Sequence, residues 1–272
     1  MQTRTLDLGW TFRYQTTQPT AAIFMTTPES TERVPIIGAE RSNDRDVVEH
    51  EYRDLYGNLC HRMVLPTGQT TMTWKAQAIV PDELDEADET AQESRAADLP
   101  DDVLVYTLAS RFVLPDVLGH IAWSRFGQLE PGYQRVQAIS EWVHDYLTYT
   151  TGSTTAISTA VDAYSTGQGV CRDFTHLMIS LCRALNIPAR YACGLLPDMD
   201  VPPLPTAMDF HAWVQVWIGD RWYDFDPRHG VRRKGRVKIA HGRDAADVAL
   251  VTTYGAPWLQ LMTVTCHEAA QA

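Results

Sequence analysis

The stretch from His211 to Asp226 leaves the chain little freedom. Ala212, Val214, Val216 and Ile218 take one face of a strand, and His211, Trp213, Gln215 and Trp217 take the other. Gly219-Asp220 follows, a two-residue turn with Gly first, as a type II′ hairpin requires. That turn sets the register: Ile218 pairs with Arg221, Gln215 with Asp224 and Trp213 with Asp226. His211 shares the Trp213 face, so Asp226 is its diagonal neighbour across the hairpin. Such neighbours lie roughly 7–8 Å apart at Cα, within reach of a side-chain hydrogen bond. The spacing thus sets an imidazole beside a carboxylate. Taken singly, His211 also reads as a strand residue beside a Trp, and Asp226 as the start of an Asp-Pro turn.

The rest of the chain changes period along its length. Residues 1 to about 80 read as strands: Phe12, Tyr14 and Ile23 to Met25 sit in Thr-rich surroundings. Tyr56-Gly57-Asn58 reads as a turn between His50–Leu55 and Leu59–Leu65, and Pro81 ends a strand begun at Thr70. An antiparallel β-sandwich is expected there. From Tyr133 the period becomes 3.6, with Tyr133, Val136, Ile139, Trp142, Val143, Tyr146 and Leu147 on one stripe. Ser158 to Tyr164 is a shorter helical candidate. A third helix, Cys171 to Leu185, carries Phe174, Leu177, Met178, Leu181, Cys182 and Leu185 on its apolar face and is closed by Ile187-Pro188. Strands follow over Arg190–Leu196, His211–Ile218 and Arg221–Asp226. The second half is therefore α+β, helices first and an antiparallel sheet after.

Charge divides the chain at one place. From Asp82 to Asp102 ten acids face a single base, Arg95, and account for −9 of the chain's net −11. This composition predicts an exposed linker, so residues 1–100 are expected to be a sandwich domain with an acidic tail and 101–272 a second domain. Arg228 to Arg243 holds seven Arg and Lys and no acid, which reads as a solvated loop or as a patch attracting acidic substrates. The pI near 5.2 and the lack of basic residues interleaved with aromatics exclude a nucleic-acid binder. No run approaches the roughly 20 apolar residues of a membrane span. No long apolar run follows Arg4 either, so neither a membrane partner nor a secretory leader is expected, and the cytoplasm is the expected compartment. The five cysteines form no CxxC pair and the nine histidines no HxxxH or HExxH pair, so no metal and no cofactor is expected.

One cysteine stands apart. Cys171 opens its helix just after Gly167-Gln168-Gly169-Val170. A thiol there meets the positive end of the helix dipole and unpaired N–H groups, which favour the nucleophilic thiolate. The same N–H groups, that of Cys171 first, can receive the oxyanion of a tetrahedral intermediate. Cys171 is also three residues before Phe174 on the apolar stripe, so a buried, inert thiol fits too. Cys182 is mid-helix on that stripe and reads as core, and Cys60, Cys193 and Cys266 read as packed strand residues.

Gly169-Val170-Cys171-Arg172-Asp173-Phe174, His176-Leu177 and Cys182 through Tyr191 resemble the nucleophile helix of bacterial transglutaminase-like cysteine proteases. His211-Ala212-Trp213-Val214, Trp222 through Pro227 and Gly242 through Val248 resemble further segments of that family, and Asp54 through Asn58 resembles its β-sandwich N-terminal domain. The resemblance implies an α+β fold: an N-terminal antiparallel β-sandwich, then a papain-like core of helices packed on an antiparallel sheet. It implies Cys171 as nucleophile, His211 as base and Asp226 as the residue that orients the imidazole. The expected activity is that of a cysteine peptidase or amidase on a protein or peptide substrate, through a thioester. An amine-transferring transglutaminase with the same residues, or a non-catalytic module on the same fold, are the alternatives.

Overall fold

The computed structural model describes residues 2–203 and 206–270. In chain order the strands β1 (Thr3–Thr16), β2 (Thr20–Phe24), β3 (Ile36–Asn43), β4 (His50–Arg53), β5 (Leu59–Leu65) and β6 (Gly68–Pro81) come first. Then come α1 (Asp101–Leu104), α2 (Pro115–Phe126), α3 (Tyr133–Tyr146), β7 (Thr148–Tyr149), α4 (Ala160–Thr166), β8 (Gln168–Gly169) and α5 (Cys171–Ala184). The strands β9 (Ala189–Leu195), β10 (His211–Ile218), β11 (Arg221–Phe225), β12 (Val237–Gly242), β13 (Val251–Thr253) and β14 (Trp258–Glu268) complete the chain.

Leu6, Leu8, Trp10, Phe12 and Tyr14 are the buried alternate residues of β1, and they face a second sheet. Phe24 of β2 meets Phe12 edge-on at 5.7 Å and Tyr14 at 6.0 Å. The two sheets run β14-β1-β6-β3 and β13-β2-β5-β4, an antiparallel sandwich. Two of its strands come from the far end of the chain: β14 pairs with β1 and β13 with β2. This corrects the expected boundary, since 101–272 is not one separate unit. The core helices and their sheet are inserted between the sandwich's first six strands and its last two. Without β14, the long strand β1 would present an open edge.

The hairpin has the expected register, with Ile218 opposite Arg221, Gln215 opposite Asp224 and Val214 opposite Phe225. Gly219 supplies the positive φ of 66° that the turn needs. The sheet runs β11-β10-β9-β12. Across it lies α5, whose residues from Asp173 to Arg183 are all buried, with α2, α3 and α4 around it. Asn186, at φ 62°, ends this helix; its N–H reaches the Arg183 carbonyl and that of Ile187 the Cys182 carbonyl. The architecture is thus mixed α+β, with helices on an antiparallel sheet beside a sandwich. Among the described residues no helix is long and apolar enough to cross a membrane.

The sandwich grips the second sheet at two points. Phe12 stacks on Phe210, the residue before β10, at 6.3 Å. Asn58 donates to the His241 carbonyl at 2.8 Å and accepts the His241 N–H at 2.9 Å, while Asp54 receives the N–H groups of Tyr56 and Asn58. The Asp54–Asn58 turn is a docking knob.

The acidic stretch also departs from expectation. Asp85 bonds Arg236 at 2.9 and 3.0 Å, Asp82 bonds Lys234 at 2.7 Å, and Glu93 bonds Arg135 at 2.8 Å. Leu84 and Lys234 form a β-bridge beneath these pairs. Asp82 and Asp85 strap the start of the segment to the basic stretch and Glu93 ties it to α3, while seven of its ten acids stay exposed; the basic stretch, which runs into β12, is not a solvated loop. Composition registers the two charge runs, but their partners stand roughly 150 residues apart.

Candidate active site

Gly167, at φ 66°, stops α4, and Gly169 brings the chain against the start of α5. A Cβ on Gly169 would lie 2.6 Å from the Cβ of Asp173, so no larger residue fits. Asp173, wholly buried, accepts the Val170 N–H at 2.9 Å and the Thr154 hydroxyl at 2.6 Å. These bonds fix the turn that delivers Cys171 to the helix N-terminus. Cys171 is half-buried as a residue, while Cys60, Cys182, Cys193 and Cys266 are buried.

Burial alone would push the Cys171 thiol up; the hydrogen bond and charge of His211, the Ala212 N–H and Arg228 outweigh it and hold the thiol below its ordinary value. Burial pushes Cys193 and Cys266 the other way, to about 12. His211 donates from Nε2 to Asp226 Oδ2 at 2.7 Å. Its Nδ1 is buried and makes no hydrogen bond of ordinary geometry, so its coupling to the Cys171 sulfur is of the loose kind seen before substrate arrives. Burial opposes charge on the ring, but the Asp226 carboxylate and the thiol prevail and raise it above the usual imidazole value. Asp226 is itself held far below the carboxylate range: burial works against ionisation, and the charges of His211 and Arg236 overcome it. The three residues singled out in the sequence, Cys171, His211 and Asp226, thus meet at one place.

Asp224 is engaged elsewhere. Its Oδ1 accepts the Trp213 indole N–H at 2.6 Å and a Gln215 amide N–H at 2.9 Å. Trp213 stacks on His211 with centroids 6.2 Å apart. A cleft of about 360 Å³ opens over Cys171 and His211, lined also by Tyr149, Met208, Asp209 and Arg228. Arg228 lies over the Tyr149 ring at 4.3 Å. Gln168 is exposed and does not line it.

Sequence reasoning missed His229 and Arg236. The His229 N–H donates to Asp226 Oδ1 at 3.2 Å, the Asx-type turn that Asp226-Pro227 signals. The His229 ring sits 5.1 Å from that of His211, and burial first of all drives it down to about 3, so it stays neutral there. Arg236 donates to Asp226 Oδ2 at 3.1 Å; its only signal in the sequence was the opposite sign of the two charged runs.

His211, Asp226 and His229 bring ligand atoms within 4.8 Å of one another. The set suits a cation poorly. Arg233 donates to His229 Nδ1 at 3.0 Å, and Arg236 donates to Asp226 Oδ2, the same oxygen that accepts from His211. Two guanidinium charges stand where a metal would need electron density.

Residues 123–227, which hold all three residues, match the transglutaminase-like superfamily. A candidate cysteine protease of Cytophaga hutchinsonii superposes with a TM-score of 0.89 at 30% identity, over 100% of this chain and 93% of that one. The chain belongs to the transglutaminase-like superfamily. An uncharacterized protein of Mycobacterium leprae is 37% identical over 117 residues, which is 42% of this chain and 42% of that protein. The chain thus matches less than half the length of that curated relative.

Proposed function

We propose that the chain is a cysteine-dependent hydrolase of amide or peptide bonds. The observation that carries this is one thiol, held below its ordinary value beside an imidazole whose far nitrogen is locked 2.7 Å from a buried carboxylate. Cys171 Sγ attacks the carbonyl carbon of a bound peptide as its proton resides on His211. The carbonyl oxygen becomes an oxyanion beside the N–H groups that open α5, the Cys171 N–H among them. The C–N bond breaks, the amine leaves with the proton from His211, and a thioester remains. Water, deprotonated by His211, then releases the acid and restores the thiol. Asp226 holds the ring in the tautomer this needs. The similarity to the Cytophaga hutchinsonii protein, itself a candidate cysteine protease, supports the hydrolytic outcome.

A peptide library, wild-type protein, the Cys171→Ala variant and a labelled primary amine with a Gln-containing protein form the test. Cleavage that requires Cys171 is expected. Incorporation of the amine without cleavage would instead make the chain a transglutaminase. Neither activity, with intact folding, would leave a binding module.

A further inference from the structure

We infer that Arg236, clamped by Asp85 of the acidic strap, is a positioning residue that sets how much of the Asp226 charge reaches His211. The inference rests on the proposed role of Cys171 and His211. Its starting point is a shared atom. Asp226 Oδ2 accepts His211 Nε2 at 2.7 Å and Arg236 Nη2 at 3.1 Å, so imidazole and guanidinium compete for one oxygen. Arg236 is held at Nε and Nη2, while its buried Nη1 has no hydrogen-bond partner. Its side chain is 6% exposed, its Nε bonds both oxygens of Asp85, and its guanidinium lies 5.0 Å over the Trp213 ring, which stacks on His211.

Asp85 is placed with equal care. The Asp85 N–H donates to the Arg233 carbonyl at 2.8 Å, and Asp85 Oδ2 accepts the Arg233 N–H at 2.8 Å. The Asp85 side chain is 8% exposed, and burial pushes its carboxyl up despite Arg236. A purely structural ion pair could be built on the surface. This one is buried against the carboxylate that orients the imidazole, where Coulomb effects are strongest.

The charges alternate along the line Asp85, Arg236, Asp226, His211. A bare guanidinium on Asp226 would draw on the charge that stabilises the imidazolium. Asp85 offsets that draw. Other charged or titratable groups facing the ring are Cys171 from α5, Asp209 before β10, and Arg228 and His229 after β11; Asp224 and Arg233 face Asp85. None of these shares an oxygen with His211 in the way Arg236 does among the described bonds.

Two near-isosteric variants pull in opposite directions. Arg236→Gln removes the competing cation, so the His211 imidazolium should hold its proton to higher pH. Asp85→Asn leaves the cation uncompensated, so the proton should leave at lower pH. A shift of about half a unit each way, roughly threefold in the ionisation constant, is expected. The measurement is the pH titration of ¹⁵N-labelled histidine in the full chain, with the His211 signal assigned by its loss in His211→Asn. Arg236→Lys, which keeps the charge, should leave the value near that of wild type. Shifts in the same direction, or no shift beside lowered thermal stability, would make the pair purely structural and overturn the inference. If Arg236→Gln does not fold, Asp85→Asn and Arg236→Lys decide alone: a downward shift in the first and none in the second is required. The rate of Cys171 alkylation in wild-type protein is the separate check on the proposed function. A slow, alkaline thiol there sinks the nucleophile assignment, whereas unmoved His211 titrations sink this inference.

Discussion

Asp226 and His211 sit diagonally across the β10–β11 hairpin, and a single 2.7 Å hydrogen bond joins Oδ2 of one to Nε2 of the other. Both side chains are almost wholly buried. An Asn at 226 fills the same volume but can present its N–H to the ring, which favours the wrong tautomer. Asp226→Asn should therefore fold normally and lose roughly 10²- to 10⁴-fold in kcat/KM, less than a serine enzyme would if the thiolate–imidazolium pair forms beforehand. Asp224→Asn is the control. Both hydrogen bonds to Asp224 end on Oδ1, which an Asn retains, so its loss should be small. Peptide turnover with circular dichroism on both variants checks this; damage from Asp224→Asn alone would contradict the assignment.

The five thiols should separate sharply on alkylation. Only Cys171 lies below its ordinary value, whereas burial raises Cys60, Cys182, Cys193 and Cys266. A thiol of lowered pKa keeps its thiolate as the pH falls, and one of raised pKa has already lost it. Limiting iodoacetamide at pH 6–7 should thus modify Cys171 first, as read by peptide mass spectrometry. Preferential labelling of any other cysteine would count against Cys171 as nucleophile.

Much of this site was legible in the sequence because it is built locally. The hairpin register follows from period two and a two-residue turn, and α5 follows from its apolar stripe and the glycines before it. What was missed is long-range or patternless. Helix α2 carries apolar residues around its whole circumference, with Val117 and Trp123 exposed and Leu118 and Ile121 buried, so no stripe marks it. The partners of Asp85 and Glu93 lie across the chain, and nothing in local composition distinguishes a solvated acid from a buried, paired one. The same holds for β13 and β14, whose place is fixed by the open edges of β2 and β1.

The strap should prove structural when its pairs are broken. Glu93 bonds Arg135 through both oxygens and also accepts the Gly132 N–H at 3.0 Å, and the two side chains are only 10% and 7% exposed. Glu93→Ala strands the Arg135 charge in the interior, which costs about 3–5 kcal/mol. Urea unfolding should register that loss. Limited proteolysis should spare residues 82–98 in the wild type and cut there in the variant. Early cutting of the wild-type strap would instead return it to the status of a linker.

Acid should weaken the fold well above the range where carboxylates titrate. Burial first, then the charge of Arg41, pushes His61 down to about 4. Glu49 stands 3.5 Å from its Nδ1 and would favour a proton there, but that carboxylate is already paired with Arg41 at 2.6 Å. Burial likewise lowers His229 and His241 to about 3, and His176, wholly buried, well below its usual value. In the unfolded chain each of these rings titrates near 6.5. Between that value and about 4 the unfolded chain binds protons that the native protein refuses, so stability present above pH 6.5 falls as the pH drops. Each fully effective ring contributes at most about 1.4 kcal/mol per pH unit, and the partly exposed His229 and His241 contribute less. His211 works in the other direction. Its raised value gives stability that is present below pH 6.5 and lost as the pH rises through the folded value, so it does not add to the acid loss. Asp226, held low, gives stability present above about pH 3.9 and is lost only beneath this window. The urea midpoint should therefore drop steadily from pH 7 to pH 4.5, and His61→Gln should flatten part of that slope. A midpoint constant across this range would mean the buried rings accept protons where they stand, by local opening.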